Sequence, residues 1–115
     1  MKQTSEYVYE KLSSFDSGRI TGIYPLIAEA ETRYPFCVYQ VDRKPSYSKV
    51  GFFEYEVQIR IISENYDELM FLVDDLNEYL KQFRELIYLG TTPQINIDKP
   101  SEFVIVSSYQ MFKNT

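Results

Sequence analysis

One stretch of the sequence alternates between apolar and mostly polar residues, and this pattern constrains the fold more than any other feature. The first set contains Phe53, Tyr55, Val57, Ile59 and Ile61, and the second contains Glu54, Glu56, Gln58, Arg60 and Ile62. Successive side chains of a β-strand point to opposite faces of a sheet, so the period of two predicts a strand with one buried and one partly wet face. Phe52 belongs to the second set, at the loop end of the wet face. The fold therefore needs a sheet and a cover for one side of it.

A long helix that could cover the sheet follows this strand. Ser63 or Asn65 is predicted to cap it. Acidic residues fall in its first turn and basic residues near its last, an order that complements the helix dipole: Asp67, Glu68, Lys81 and Arg84. Its apolar stripe consists of Tyr66, Leu69, Met70, Val73, Leu76, Leu80 and Phe83. Burial of such a stripe makes this helix the main clamp of the domain.

The start of the chain predicts a second, shorter helix. From Ser5 to Phe15, apolar residues recur at spacings of four and three, which is a helical stripe that should end before Gly18. The following segment from Ile20 to Leu26 reads as extended and contains Pro25, which favours an edge or irregular strand.

The remaining segments predict further strands. Phe36 to Val41 is rich in β-branched and aromatic residues, and Asp42 to Gly51 reads as a long basic hairpin loop. Leu86 to Leu89 and Gln94 to Ile97 read as strand pieces broken by Gly90 to Pro93. The last strand, residues 103–112, is apolar on both faces and is predicted to be central.

This order of elements predicts an α+β fold in which all 115 residues form a single domain. The sheet is expected to be mainly antiparallel, with 4–5 strands. The short N-terminal helix and the one long helix are expected to pack on one face of it. The opposite face, with Glu54, Glu56, Arg60 and Phe52, remains for water or for another subunit.

The residue types argue against most enzyme classes. The chain has no His and one Cys, so it lacks the usual neutral-pH proton shuttle and a Cys/His zinc site. Cys37, between two apolar residues, is interpreted as a buried thiol. The scattered glycines form no phosphate-binding motif. We therefore predict a protein that is not an enzyme, with no catalytic residues and no cofactor.

Two carboxylate pairs were candidates for a metal site. Asp74 and Asp75 diverge around a helix, and Glu54 and Glu56 share a strand face without a completing ligand set. Both pairs are interpreted as solvated, and no metal is predicted.

Charge and hydropathy limit the partners. The net charge of −5 disfavours sequence-independent binding to nucleic acid, and no sequence recognition of nucleic acid is predicted. No run approaches the roughly 20 apolar residues that span a bilayer, and the polar start does not resemble a signal peptide, so no membrane association is predicted. The 11 Tyr and 8 Phe, which suit interfaces, favour protein partners.

The hairpin loop is the clearest candidate binding segment. It carries Arg43, Lys44, Tyr47 and Lys49. This set could grip phosphates or an acidic protein surface, and it equally fits an ordinary solvated hairpin.

The order of short patches resembles the tail terminator, or tail completion, proteins of long-tailed bacteriophages and prophages. The patches are Gly22 to Pro25, Tyr34 to Tyr39, a polar loop closing at Gly51, the alternating strand Tyr55 to Ile61, and Ser63 to Leu69 at the start of the helix. The resemblance extends from about residue 19 to residue 112.

This resemblance implies a structural protein that forms a ring, six-fold in the family, on the finished end of a tail tube. Such a ring stops tail polymerisation and joins the tail to the head. The implied partners are other copies of the chain, the tail tube protein and the head-tail connector. The implied location is the virion tail, with the bacterial cytoplasm as the site of assembly.

A head-to-tail ring needs two different complementary patches on each subunit. We assign one to the loop from Arg43 to Lys49. The other is the sheet face with Phe52, Glu54, Glu56 and Arg60.

Other readings stay open at this point. Another head-tail connector or a minor tail protein has a similar layout. An α+β domain that dimerises around a small ligand predicts a stable dimer with a closed pocket. An enzyme using only Tyr and carboxylates lacks any placed base and nucleophile.

Overall fold

Two helices and five strands follow one another along the described part of the chain. A computed structural model describes residues 2–15, 19–26, 33–45, 52–95 and 98–114. The helices and strands are α1 (Lys2–Ser14), β1 (Ile23–Pro25), β2 (Phe36–Pro45), β3 (Phe52–Ser63), α2 (Tyr66–Leu80), β4 (Ile87–Ile95) and β5 (Phe103–Asn114). The fold is α+β, as the order of patterns predicts.

The five strands form one sheet in the order β1-β2-β3-β5-β4. β1 runs parallel to β2, and every other neighbouring pair is antiparallel, so the sheet is mixed. β3 is the middle strand, and its apolar set is buried as the alternation predicts: Tyr55, Val57, Ile59 and Ile61. β1 lies at the edge of the sheet, where Pro25, which has no N–H to donate, is tolerated. β5, flanked by β3 and β4, confirms the prediction of an interior strand.

Both helices pack on the same face of the sheet. Val8 and Leu12 of α1 join the core formed by Tyr39 of β2, Ile59 of β3 and Leu76 of α2. The predicted shared face is therefore confirmed. Within the described residues, neither helix is long and apolar enough to cross a membrane.

The N-terminus of α2 shows which residue caps it. The Asn65 side chain accepts a hydrogen bond from the backbone N–H of Glu68 at 3.1 Å. Ser63 Oγ accepts one from the backbone N–H of Asn65 at 3.2 Å. Asn65 is the cap and Ser63 holds it in place. At the other end the helix stops at Leu80 with Lys81 as its C-cap, so Arg84 lies beyond it.

The buried stripe of α2 differs from the predicted one. Leu72 is buried, whereas Tyr66 and Met70 are exposed to 37% and 39%. The side of α2 that faces the core is formed by Leu69, Leu72, Val73, Leu76 and Leu80. Phe71, 71% exposed, points away from the core.

The predicted hairpin loop is wrong for residues 42–45, because β2 continues to Pro45. The rest of the predicted loop, residues 46–51, lies outside the described residues. Asp42, Arg43 and Lys44 pair with Glu56, Tyr55 and Glu54 of β3. Charged side chains are compatible with a strand where they remain in water, and Arg43 and Lys44 are exposed. Their polarity therefore did not mark a loop.

The predicted break at Gly90 to Pro93 is also wrong. β4 is continuous from Ile87 to Ile95 and contains a bulge between Tyr88 and Gly90. Gly90 has a φ of 152°, which side-chain-bearing residues rarely adopt, so the glycine permits the bulge. Pro93 is tolerated because β4 is an edge strand.

Cys37 is fully buried in β2, as the sequence predicts, and burial raises the pKa of its thiol to about 12. The thiolate is the form of cysteine that attacks thiol reagents, so Cys37 of the folded chain should resist them at pH 8. We expect labelling to be at least about a hundredfold slower in the native state than in denaturant, because reaction requires opening of the core. A chromogenic disulfide reagent measures both rates. Comparable rates would contradict the buried position.

Candidate interaction surface

The side of the sheet opposite the helices, here called the open face, carries four of the eight predicted site residues. Register places Asp42, Glu56 and Gln110 in one row across β2, β3 and β5. Gln40, Gln58 and Ser108 form the next row. We call the polar side chains of this region the polar ladder, which consists of Gln40, Asp42, Lys44, Glu54, Glu56, Gln58, Arg60, Ser108 and Gln110.

Side chains of the polar ladder hydrogen-bond to one another. Lys44 Nζ lies 3.0 Å from Glu56 Oε2, and this hydrogen bond raises the pKa of Lys44. Opposite charges across strands favour such pairing. The other pairs are Gln110 donating to Glu54, Gln40 donating to Asp42, and Arg60 donating to Gln58. These contacts set the positions of side chains that remain partly exposed, so a partner would meet a largely preorganised polar surface.

The other end of the open face is a small second core. Phe36, Val38 and Ile62 are exposed to only 9%, 7% and 5%, and they pack with Tyr24, Tyr34 and Val104. Sequence reasoning missed this apolar end. The sequence contained a signal for it. From Phe36 to Val41, the residues that point to either face of the strand are apolar apart from Gln40, a pattern typical of a strand covered on both faces.

Tyr34 fastens this apolar end to the turn before β5. Its hydroxyl donates to Glu102 Oε2 at 2.7 Å, and its ring centroid lies 5.7 Å from that of Phe36. The hydrogen bond to Glu102 raises the pKa of Tyr34 to about 12. The apolar end is therefore covered by the chain itself, which leaves the polar ladder as the part of the open face available to a partner.

Gly22 leaves room for the Tyr24 ring, which lies beside it. A Cβ at this position would come within 2.5–2.7 Å of the Tyr24 phenol ring and hydroxyl. The backbone N–H of Cys37 donates to the Gly22 carbonyl at 2.9 Å, which fixes β1 against β2. The Gly22 to Pro25 patch thus has a packing role.

The structure brings together four of the predicted site residues and separates one. Lys44, Glu54, Glu56 and Arg60 lie on the polar ladder. Arg43 is opposite Tyr55 in register and belongs to the other face. Of the rest, Tyr47 and Lys49 lie outside the described residues, as does the Phe52 side chain.

This arrangement corrects the division into two patches. Lys44 was assigned to the loop patch, but its ammonium group pairs with Glu56 of the supposed complementary patch. Strand alternation explains the error, because neighbouring residues of β2 point to opposite faces.

Both carboxylate pairs have neighbours that bind their oxygens. Glu54 and Glu56 accept from Gln110 and Lys44. Asp75 accepts from Arg19 Nη1 at 2.6 Å. Over the described ranges, no group of three or more His, Cys, Asp or Glu side chains is placed to hold a metal ion.

Comparison with known proteins adds no assignment. No model of a known protein family matches the chain. A search of curated proteins finds no match either.

Proposed function

We propose that this protein is a tail terminator of a long-tailed bacteriophage or prophage. In this role it is a structural subunit that forms a ring, six-fold by the resemblance, at the end of the tail tube. The ring stops tail polymerisation and offers a surface to the head-tail connector. The chain acts through protein contacts and turns over no substrate.

The observation that carries this proposal is the placement of the resembling patches. Gly22 to Pro25 contains β1, Tyr34 to Tyr39 leads into β2, Tyr55 to Ile61 lies in β3, and Ser63 to Leu69 begins α2. The three strands are neighbours in the sheet, and α2 directly follows β3 in the chain. The resemblance therefore extends over one continuous structural unit, which supports a shared architecture.

The polar ladder supports a role in contacts between subunits. It combines both signs of charge with amide side chains, as polar parts of protein interfaces do. In the proposed ring, the polar ladder of one subunit meets the β2–β3 hairpin end of its neighbour, which carries Arg43. This contact is heterologous, as a closed ring requires.

Tail assembly with and without the subunit tests the function. Tail tube protein polymerised alone should give tubes of uncontrolled length, and added subunit should give tubes with a ring at one end and a narrow length distribution. Electron microscopy measures both. Tubes that ignore the subunit would overturn the proposal, and so would rapid turnover of a metabolite by the purified chain.

Charge reversal in the polar ladder tests the contact. In Lys44→Glu, a fourth carboxylate joins Asp42, Glu54 and Glu56, and the altered charge of this surface should lower binding to tube ends by about tenfold or more. Arg43→Glu should weaken binding from the other face of the hairpin. Co-sedimentation with tubes measures both effects.

Lys81→Glu is the matched control for Lys44→Glu. Lys81 Nζ also lies 3.0 Å from a glutamate, Glu78, but at the exposed C-terminal end of α2. This control should bind tubes as the natural chain does, and all the variants should keep its melting temperature. Equal losses in Lys44→Glu and Lys81→Glu would show a general charge effect and refute the assigned contact.

A further inference from the structure

Three consecutive large apolar side chains are exposed on edge strand β4. Ile87, Tyr88 and Leu89 are exposed to 46%, 47% and 52%. The bulge between Tyr88 and Gly90 interrupts regular alternation here. The sequence between Glu85 and Asp98 contains no charged residue. This edge therefore combines apolar side chains with an uncharged strand.

The two edges of the sheet differ in how they are protected. At the other edge, the three residues of β1 pair with only part of β2. Among the described strands, the rest of β2 forms that edge, and there Asp42, Arg43 and Lys44 precede Pro45. Charged residues and proline at an edge oppose pairing with another strand. β4 pairs with β5 on one side, and no described strand lies on its other side. Pro93 lacks an N–H, so the segment suited to pairing is Ile87–Thr92.

We propose that a second copy of this chain pairs with the first through β4, antiparallel and about a two-fold axis. A two-fold contact uses the same surface on both partners, so one unprotected edge is enough. An uncharged strand set against itself brings no like charges together. With the axis between Leu89 and Gly90, each Leu89 lies opposite the partner's glycine. A Cβ built at Gly90 meets nothing within 4 Å, so this position has room for the side chain.

This pairing concerns the free chain and does not rest on the proposed function. The pair uses β4, whereas the proposed ring contact uses the polar ladder and the β2–β3 hairpin end, so the two contacts lie on different surfaces of the subunit.

Sedimentation equilibrium on the purified chain tests the proposal. A six-residue strand pair is a small interface, so measurements should extend from about 5 to about 500 µM chain. We expect the average mass to rise with concentration from 13.7 kDa towards twice that value and to stop there. Amide hydrogen exchange should slow over Ile87–Thr92 as concentration rises.

Leu89→Lys sets two ammonium groups near the axis and should abolish association, shifting the dissociation constant upward at least about tenfold. Phe71→Lys is the matched control, since Phe71 is an exposed apolar residue on α2. It should associate as the natural chain does.

A mass of 13.7 kDa at every concentration would overturn the proposal. Masses that grow beyond two copies, or dissociation by Phe71→Lys but not by Leu89→Lys, would also overturn it. The tail-length assay is separate, so failure of one proposal leaves the other standing.

Discussion

Leu76→Ala should lower the free energy of unfolding by about 2–5 kcal/mol, a large share of the roughly 5–15 kcal/mol typical of a natural domain. Leu76 lies on α2, has no exposed surface and belongs to the main core with residues of β3 and β5. Alanine removes the buried side chain and leaves a cavity. Because alanine forms helices at least as well as leucine, the loss would come from packing and not from helix propensity.

Urea unfolding followed by circular dichroism measures this loss. Asp74→Ala is the matched control, since Asp74 is exposed on the same helix. It should change the free energy of unfolding by no more than about 0.5 kcal/mol. If the two variants lose equal stability, α2 does not clamp the sheet as described.

Tyr109→Ala should cost about 3–5 kcal/mol of unfolding free energy, because it empties a large buried site. Tyr109 of β5 is 1% exposed, and its ring centroid lies 5.5 Å from that of Tyr88. Its hydroxyl donates to Asn77 Oδ1 of α2, and Asn77 Nδ2 donates to Thr91 Oγ1 of β4 at 3.1 Å. This chain of hydrogen bonds joins the helix to two strands.

Tyr109→Phe distinguishes the contribution of the hydroxyl to stability from that of the ring. It keeps most of the packing but leaves Asn77 Oδ1 without this donor, so we expect a loss of about 1–3 kcal/mol. Urea unfolding measures both variants. A phenylalanine variant as unstable as the alanine variant would contradict the division between packing and hydrogen bonding.

Tyr109→Phe should also change how the stability of the fold depends on alkaline pH. Burial raises the pKa of Tyr109 above its ordinary value of 10.0. The unfolded chain therefore loses this proton at lower pH than the folded chain does. The contribution of this raised pKa to the stability of the fold is fully present below pH 10 and is lost as the pH rises above 10. Tyr109→Phe should thus lose less stability between pH 9 and 11 than the natural chain, with part of the slope kept by Tyr7 and Tyr34, whose pKa values are also raised.

Local patterns predicted the central parts of the fold. The alternation from Phe53 to Ile62 identified β3 and its buried face, and the spacing of Leu69, Val73 and Leu76 identified the core side of α2. Such patterns are reliable because backbone geometry fixes the direction of each side chain within an element.

The candidate site could be predicted only in part. Alternation placed Glu54, Glu56 and Arg60 on one face, and the structure agrees. It could not place Lys44 beside Glu56, because β2 read as ending at Val41. Propensity is a weak guide there, since whether a charged segment becomes a strand depends on the partner beside it.

By itself, the sequence determined the kinds of elements, their order and the buried sides of the best-patterned ones, through periodicities within single segments. Only the tertiary structure decided that β5 lies between β3 and β4, that Tyr34 reaches Glu102 across 68 positions of sequence, and that β4 remains one strand through its bulge. These outcomes depend on pairing between distant segments. The free energy of that pairing comes from both partners together, so neither segment carries the information alone.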